Sequence, residues 1–168
     1  MQIGSRIING QNAPKPIPWQ VAMYKRTPSQ YFKCGGSIIN EDTILTAAHC
    51  FEEDVEENGT VFKRLNTSPK DYFINVGLLQ HSAPPVKKYE VKNITVHEDY
   101  DVIGRQFHHD IAIVKTMKKM KFSNNVKPIC LPKTFTSEYQ TCFISGWGST
   151  QASKYIILKL VFLMLKSH

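Results

Sequence analysis

His49 and Asp110 are the side chains of this sequence best suited to moving a proton. His49 stands beside Cys50 in TILTAAHCFEED (43–54), where an apolar run breaks into acids. Imidazole titrates near neutrality, so a histidine can take and return a proton when something orients its ring and stabilises its charged form. A buried carboxylate that accepts the ring N–H does both. Asp110 opens the apolar run DIAIV (110–114), where an acid without a partner would be costly. It is either that partner or an ordinary strand-end aspartate, and the residue types alone leave both readings open. Metal ligation is a rival use, since His49, Cys50, His108 and His109 are ligand types. No pair among them has a zinc-like spacing, and adjacent residues on a strand point to opposite faces. No metal and no cofactor is expected.

The elements that must hold these residues read as strands. QVAMYK (20–25), YFKCGGSII (31–39), TILTA (43–47), YFINVGLLQ (72–80), KYEVKNITVH (88–97) and DIAIVK (110–115) are rich in Val, Ile, Tyr and Phe, with Pro, Gly, Asn and Asp between them. No amphipathic helix is evident before residue 150. The pattern predicts an all-β antiparallel barrel or sandwich. The spacers 52–71 and 98–109 are polar and long for hairpin loops. Residues 151–168 differ, being almost wholly large and apolar from Tyr155 to Leu165 except for Lys159. That run falls short of the roughly 20 residues a membrane-spanning helix needs, so no span is expected.

A chain of 168 residues with 42% hydrophobic and 21% charged residues has the composition of one globular domain. Its net charge of +7 is spread along the chain, and the densest cluster, KTMKKMK (115–121), has no aromatic within it. It reads as a solvated basic loop, and no nucleic-acid partner is expected. The four cysteines, Cys34, Cys50, Cys130 and Cys142, form no CxxC pair. With the sequons at Asn58, Asn66 and Asn93, possible N-glycosylation sites, they lean toward an oxidising, secretory setting. No signal-peptide pattern opens the sequence.

A run of landmarks in fixed order makes the chain recognisable. Arg6 precedes IING (7–10); then come PWQV (18–21), CGGSII (34–39), LTAAHC (45–50), HDIAIV (109–114), KPICLP (127–132) and CFISGWGST (142–150). Over about residues 6–150 the sequence resembles the trypsin-like, chymotrypsin-fold serine endopeptidases. The resemblance implies that His49 is the general base and Asp110 its orienting partner, in that family's chain order. They lie 61 positions apart against about 45 in the family template, an excess that insertions in the polar spacers explain. It implies a disulfide between Cys34 and Cys50, closing a loop of about 15 residues worth about 3 kcal/mol. Arg6–Ile7 would be the activation cleavage site, with residues 1–6 a propeptide remnant. Proteins or peptides would be the substrates, protease inhibitors further partners, and the location extracellular.

The family's nucleophile lies in a Gly-Asp-Ser-Gly-Gly block, and no such block occurs in these 168 residues. Ser37 and Ser145 match family positions that are not nucleophilic. The oxyanion hole and specificity pocket belong with the missing block, so the chain is expected to be inactive as it stands. The expected domain is a partial peptidase, 7–150, with a complete first barrel over about 20–125, a second barrel only begun, and a non-family tail at 151–168. Cys130 and Cys142 would be left unpaired. A truncated product of a protease gene accounts for these features; the alternative is a non-catalytic pseudoprotease serving as a secreted binding module.

Overall fold

The computed structural model describes residues 12–28, 30–80, 87–103, 106–132 and 143–147. Expectations for Arg6, Ile7, Cys142 and the segment 151–168 lie outside the described residues. Six strands close an antiparallel barrel: β1 (Gln20–Lys25), β2 (Tyr31–Asn40), β3 (Thr43–Thr46), β6 (Tyr72–Val76), β7 (Lys87–Val96) and β10 (Ala112–Thr116). The order round the barrel is β1-β2-β3-β10-β7-β6, with β1 pairing β6 to close it. Closure leaves no free sheet edge. Two short ribbons stand apart from it: β4 (Glu52–Glu57) with β5 (Thr60–Leu65), and β8 (Asp101–Ile103) with β9 (Gln106–His108). Among the described residues there is no α-helix, only two 3-10 turns, Ala48–Phe51 and Pro69–Asp71.

The barrel interior takes alternate residues of each strand. Val21 and Met23 of β1 meet Ile38, Ile44, Ile74, Val76 and Val114, with Phe51 and Tyr72 packed edge-to-face at 5.3 Å. Val126 and Ile129 are also buried, so the core draws on residues just beyond the expected limit of about 125. The other faces of β1 and β6 are covered as well: Ala22, Tyr24, Phe73 and Leu78 form a second cluster, against which Phe32 and Trp147 pack. Burial on both faces explains why QVAMYK shows no clean alternation. At Gly36 the walls approach closely, since a Cβ there would lie 2.9 Å from Ile44 Cγ2 and 3.0 Å from the Leu45 carbonyl oxygen.

Three departures from the sequence reading have local reasons. The strand expected over 72–80 ends at Val76, because Gly77 turns the chain with a φ of +72°. The strand expected from Asp110 starts at Ala112, since Asp110 belongs to a tight turn. The spacer 52–71 is largely a hairpin: Asn58 (φ +53°) and Gly59 (φ +76°) supply the paired left-handed residues of a type I′ turn.

Candidate active site

His49 sits in the 3-10 turn Ala48–Phe51 that follows β3, and its two neighbours anchor it from either side. Ala48 and Phe51 are fully buried, and Cys50 is bonded to Cys34 of β2 in a disulfide. The turn therefore has little freedom to move its histidine. Asp110 stands just before β10, the strand that pairs directly with β3 through Ala112 and Thr46. His109 adopts a φ of +51°, and the Ile111 N–H donates back to the His109 carbonyl at 2.7 Å. That turn holds the Asp110 carboxylate out of the strand and beneath His49.

The pair makes two hydrogen bonds. The His49 backbone N–H donates to Asp110 Oδ1 at 2.8 Å, and His49 Nδ1 lies 2.6 Å from Oδ2. An ionised carboxylate only accepts, so Nδ1 carries the proton and Nε2 presents a lone pair. Burial pushes the Asp110 carboxyl up, but the His49 side-chain bond, the His49 backbone bond, attraction to His49 and the Ala48 backbone bond together outweigh it. The carboxyl ends below its ordinary value. The His49 side chain is 12% exposed and that of Asp110 24%, so the bond is shielded while the ring edge stays reachable. A fixed, charge-backed imidazole with a free Nε2 can accept a proton from a hydroxyl and later return it.

Two neighbours of the pair were not legible in the sequence. Phe107 of β9 places its ring 5.1 Å from that of His49, tilted by 32°, and is itself half exposed. The Tyr100 hydroxyl donates to Glu52 Oε1 at 2.7 Å and so ties the approach to β8 to the start of β4. Burial first, then the bond to Glu52, pushes the Tyr100 hydroxyl above its ordinary pKa. The available signal was faint: DVIGRQFH carries β-branched and aromatic arms on both sides of Gly104.

The remaining candidates fall as follows. Ligand atoms of Cys34, His49 and Cys50 lie within 4.8 Å of one another, but the disulfide occupies both sulfurs, leaving no thiolate for a metal. His108 and His109 stand apart from that group; His109 instead stacks on His97 at 4.9 Å. Ser37 is buried in β2, and the Ser145 hydroxyl donates to Gln20 Oε1 at 2.9 Å. Cys130 is exposed and in no disulfide among the described residues. Asn58 is exposed at its turn tip, and Asn93 is exposed on β7. Asn66 differs: its amide donates to Glu53 Oε1 at 3.0 Å and Asp71 Oδ2 at 2.9 Å.

A family model described as Trypsin matches residues 7–163, beyond Thr150, where the motif run ends. "Serine protease grass" of Drosophila melanogaster is 33% identical over 159 residues, covering 89% of this chain and 41% of that protein. Bovine "Coagulation factor XI" is 32% identical over 152 residues, 88% of this chain and 22% of the relative. Mouse "Mannan-binding lectin serine protease 1" is 33% identical over 148 residues, 86% of this chain and 20% of the relative. The chain thus spans less than half the length of each of these curated relatives.

Proposed function

Because the chain belongs to the trypsin family of serine proteases, we propose that it carries the base half of an endopeptidase active site, with His49 as general base and Asp110 as its orienting partner. The observation that supports this best is the doubly bonded pair, which fixes the tautomer with Nε2 free. In acyl transfer, Nε2 takes the proton of an attacking hydroxyl while Asp110 stabilises the imidazolium, and the proton then passes to the leaving amine. The substrates on this reading are proteins or peptides, with protease inhibitors as further partners. The Cys34–Cys50 disulfide favours an oxidising, extracellular location. Arg6–Ile7 is the bond whose cleavage would activate the protein, and Asn58 and Asn93 are the sequons best placed to carry glycans.

The attacking hydroxyl is not among these residues. No Gly-Asp-Ser-Gly-Gly block occurs in the 168, and no serine hydrogen-bonds His49 among those described. The polypeptide of these residues is therefore inactive by itself. A serine-reactive phosphonate is expected to leave it unlabelled, before and after trypsin cleaves at Arg6. Stoichiometric labelling by intact mass would overturn that reading. The missing hydroxyl also favours a second reading, a secreted binding module that keeps the fold without the reaction. Sequencing the transcript past the codon for Thr150 separates the two: a nucleophile block in another exon or frame favours the protease, and a verified stop with stable secreted protein favours the module.

A further inference from the structure

The turn that delivers Asp110 is gripped from outside by two stacked imidazoles. His97, the first residue after β7, lies ring to ring with His109, centroids 4.9 Å apart and planes 17° from parallel. The main chain of Asp99 bridges them: its N–H donates to His97 Nδ1 at 3.2 Å, and its carbonyl oxygen lies 3.1 Å from His109 Nδ1. A carbonyl only accepts and an N–H only donates, so His109 Nδ1 carries a proton and His97 Nδ1 carries none. Two more bonds fix this unit in place: the His97 N–H donates to the Ile111 carbonyl at 3.1 Å, and the Tyr100 N–H to the His97 carbonyl at 3.1 Å. His109 is thus held by its face and its edge while its backbone keeps the left-handed φ of +51°. Outside glycine, that conformation persists where the surroundings determine it. The next residue is Asp110.

We propose that His97 and His109 are positioning residues for the catalytic pair: their stacked rings, bridged by Asp99, hold the turn that aims the Asp110 carboxylate at His49, and they do so only while His97 is neutral. The inference rests on the reading of His49 and Asp110 as base and orienting partner. Its dependence on charge follows from the tautomer. The neutral His97 ring has its lone pair on Nδ1, so a proton arrives there and sets two donors against each other. The Asp99 N–H then loses its acceptor, and Asp99 Oδ2, 4.0 Å from the same nitrogen, is the alternative partner for the charged ring. A ring that turns to the carboxylate releases the Asp99 main chain, and with it the carbonyl that holds His109. The titratable groups of the two packed turns are Glu98, Asp99 and Tyr100 beside His97, and His108, His109 and Asp110 opposite. Tyr100 is committed to Glu52 and Asp110 to His49, and Asp99 has its carboxylate within reach of the new charge. His109 keeps its Nδ1 proton in either charge state, so its own bond does not switch.

The test is proton NMR of the full 168-residue chain and two variants. It reads how fast the His49 Nδ1 proton exchanges with water at about pH 7.5 and about pH 5.5, on either side of the ordinary imidazole range. Charging His49 itself adds a proton at Nε2 and leaves the Nδ1 bond to Asp110 in place, so that event is common to every variant. H97A removes both the stack and the acceptor, and is expected to exchange about tenfold faster than the parent at the higher pH. H97F keeps a flat ring against His109 but cannot take a proton. Its rate should lie between the other two at the higher pH, and the parent's advantage over it should vanish at the lower one. The His97 side chain is 38% exposed, so both variants should match the parent's urea midpoint. Parent-like exchange in H97A, or a parent-to-H97F ratio that does not change with pH, overturns the proposal and leaves the base pair standing. No protected Nδ1 proton in the parent at either pH overturns the base pair itself, and this proposal with it.

Discussion

Asp110→Asn is expected to lower kcat by about 10⁴-fold in a chimera that completes this barrel with a relative's nucleophile-bearing half, the loss that the same swap causes in the template triad. The reason lies in the two bonds that Asp110 accepts. An asparagine can keep one oxygen toward the His49 backbone N–H, but its amide group then faces Nδ1. Two donors cannot share that bond, so the ring moves its proton to Nε2 and Nδ1 becomes the acceptor. The imidazole keeps its place and loses its function as a base. The measurement is kcat at saturating peptide substrate. A loss below about tenfold would mean that Asp110 does not set the tautomer. The substitution also changes the acid stability of the 168-residue chain. The folded Asp110 carboxyl titrates below its ordinary 3.8, so its contribution to stability is present above that value and is lost as the pH falls through the lower, folded one. The asparagine variant should lose less stability on acidification than the parent.

Replacing Cys34 and Cys50 together by serine is expected to lower the unfolding free energy by about 3 kcal/mol on the chain-entropy model. Whole domains are stable by only about 5–15 kcal/mol, so this is a large share. Both sulfurs are almost completely buried and join β2 to the turn that carries His49. Two buried hydroxyls without assured partners add to the loss. Urea denaturation of the oxidised parent, the reduced parent and the double variant measures it. A change under about 1 kcal/mol would show that packing of Phe51 and Tyr72 alone holds the turn.

The barrel was legible because its strands carry the right residue types in short runs, and the family landmarks gave their order. The active pair was legible in part. His49 stood out by type and setting, whereas Asp110 had an equally good reading as a strand-end residue. Only the folded turn at His109, with its left-handed backbone, shows how the carboxylate reaches His49. Asn58-Gly59 is a strong hairpin signal, but the same asparagine opens a sequon, and the flanking EEDVEE reads as a solvated run. The ribbon therefore passed as a spacer. Asn66 shows the converse: the sequon marks it, while its amide in fact braces Glu53 and Asp71.

The central claim is that the base pair is already formed within these residues, before any nucleophile is present. Nitrogen-detected NMR of the 168-residue chain tests it most directly, by following the His49 ring through a pH titration. The account predicts a slowly exchanging Nδ1 proton, shifted far downfield by its bond to Asp110, and loss of that signal in Asp110→Ala. A His49 ring with both nitrogens averaged by exchange, and no response to Asp110→Ala, would contradict it.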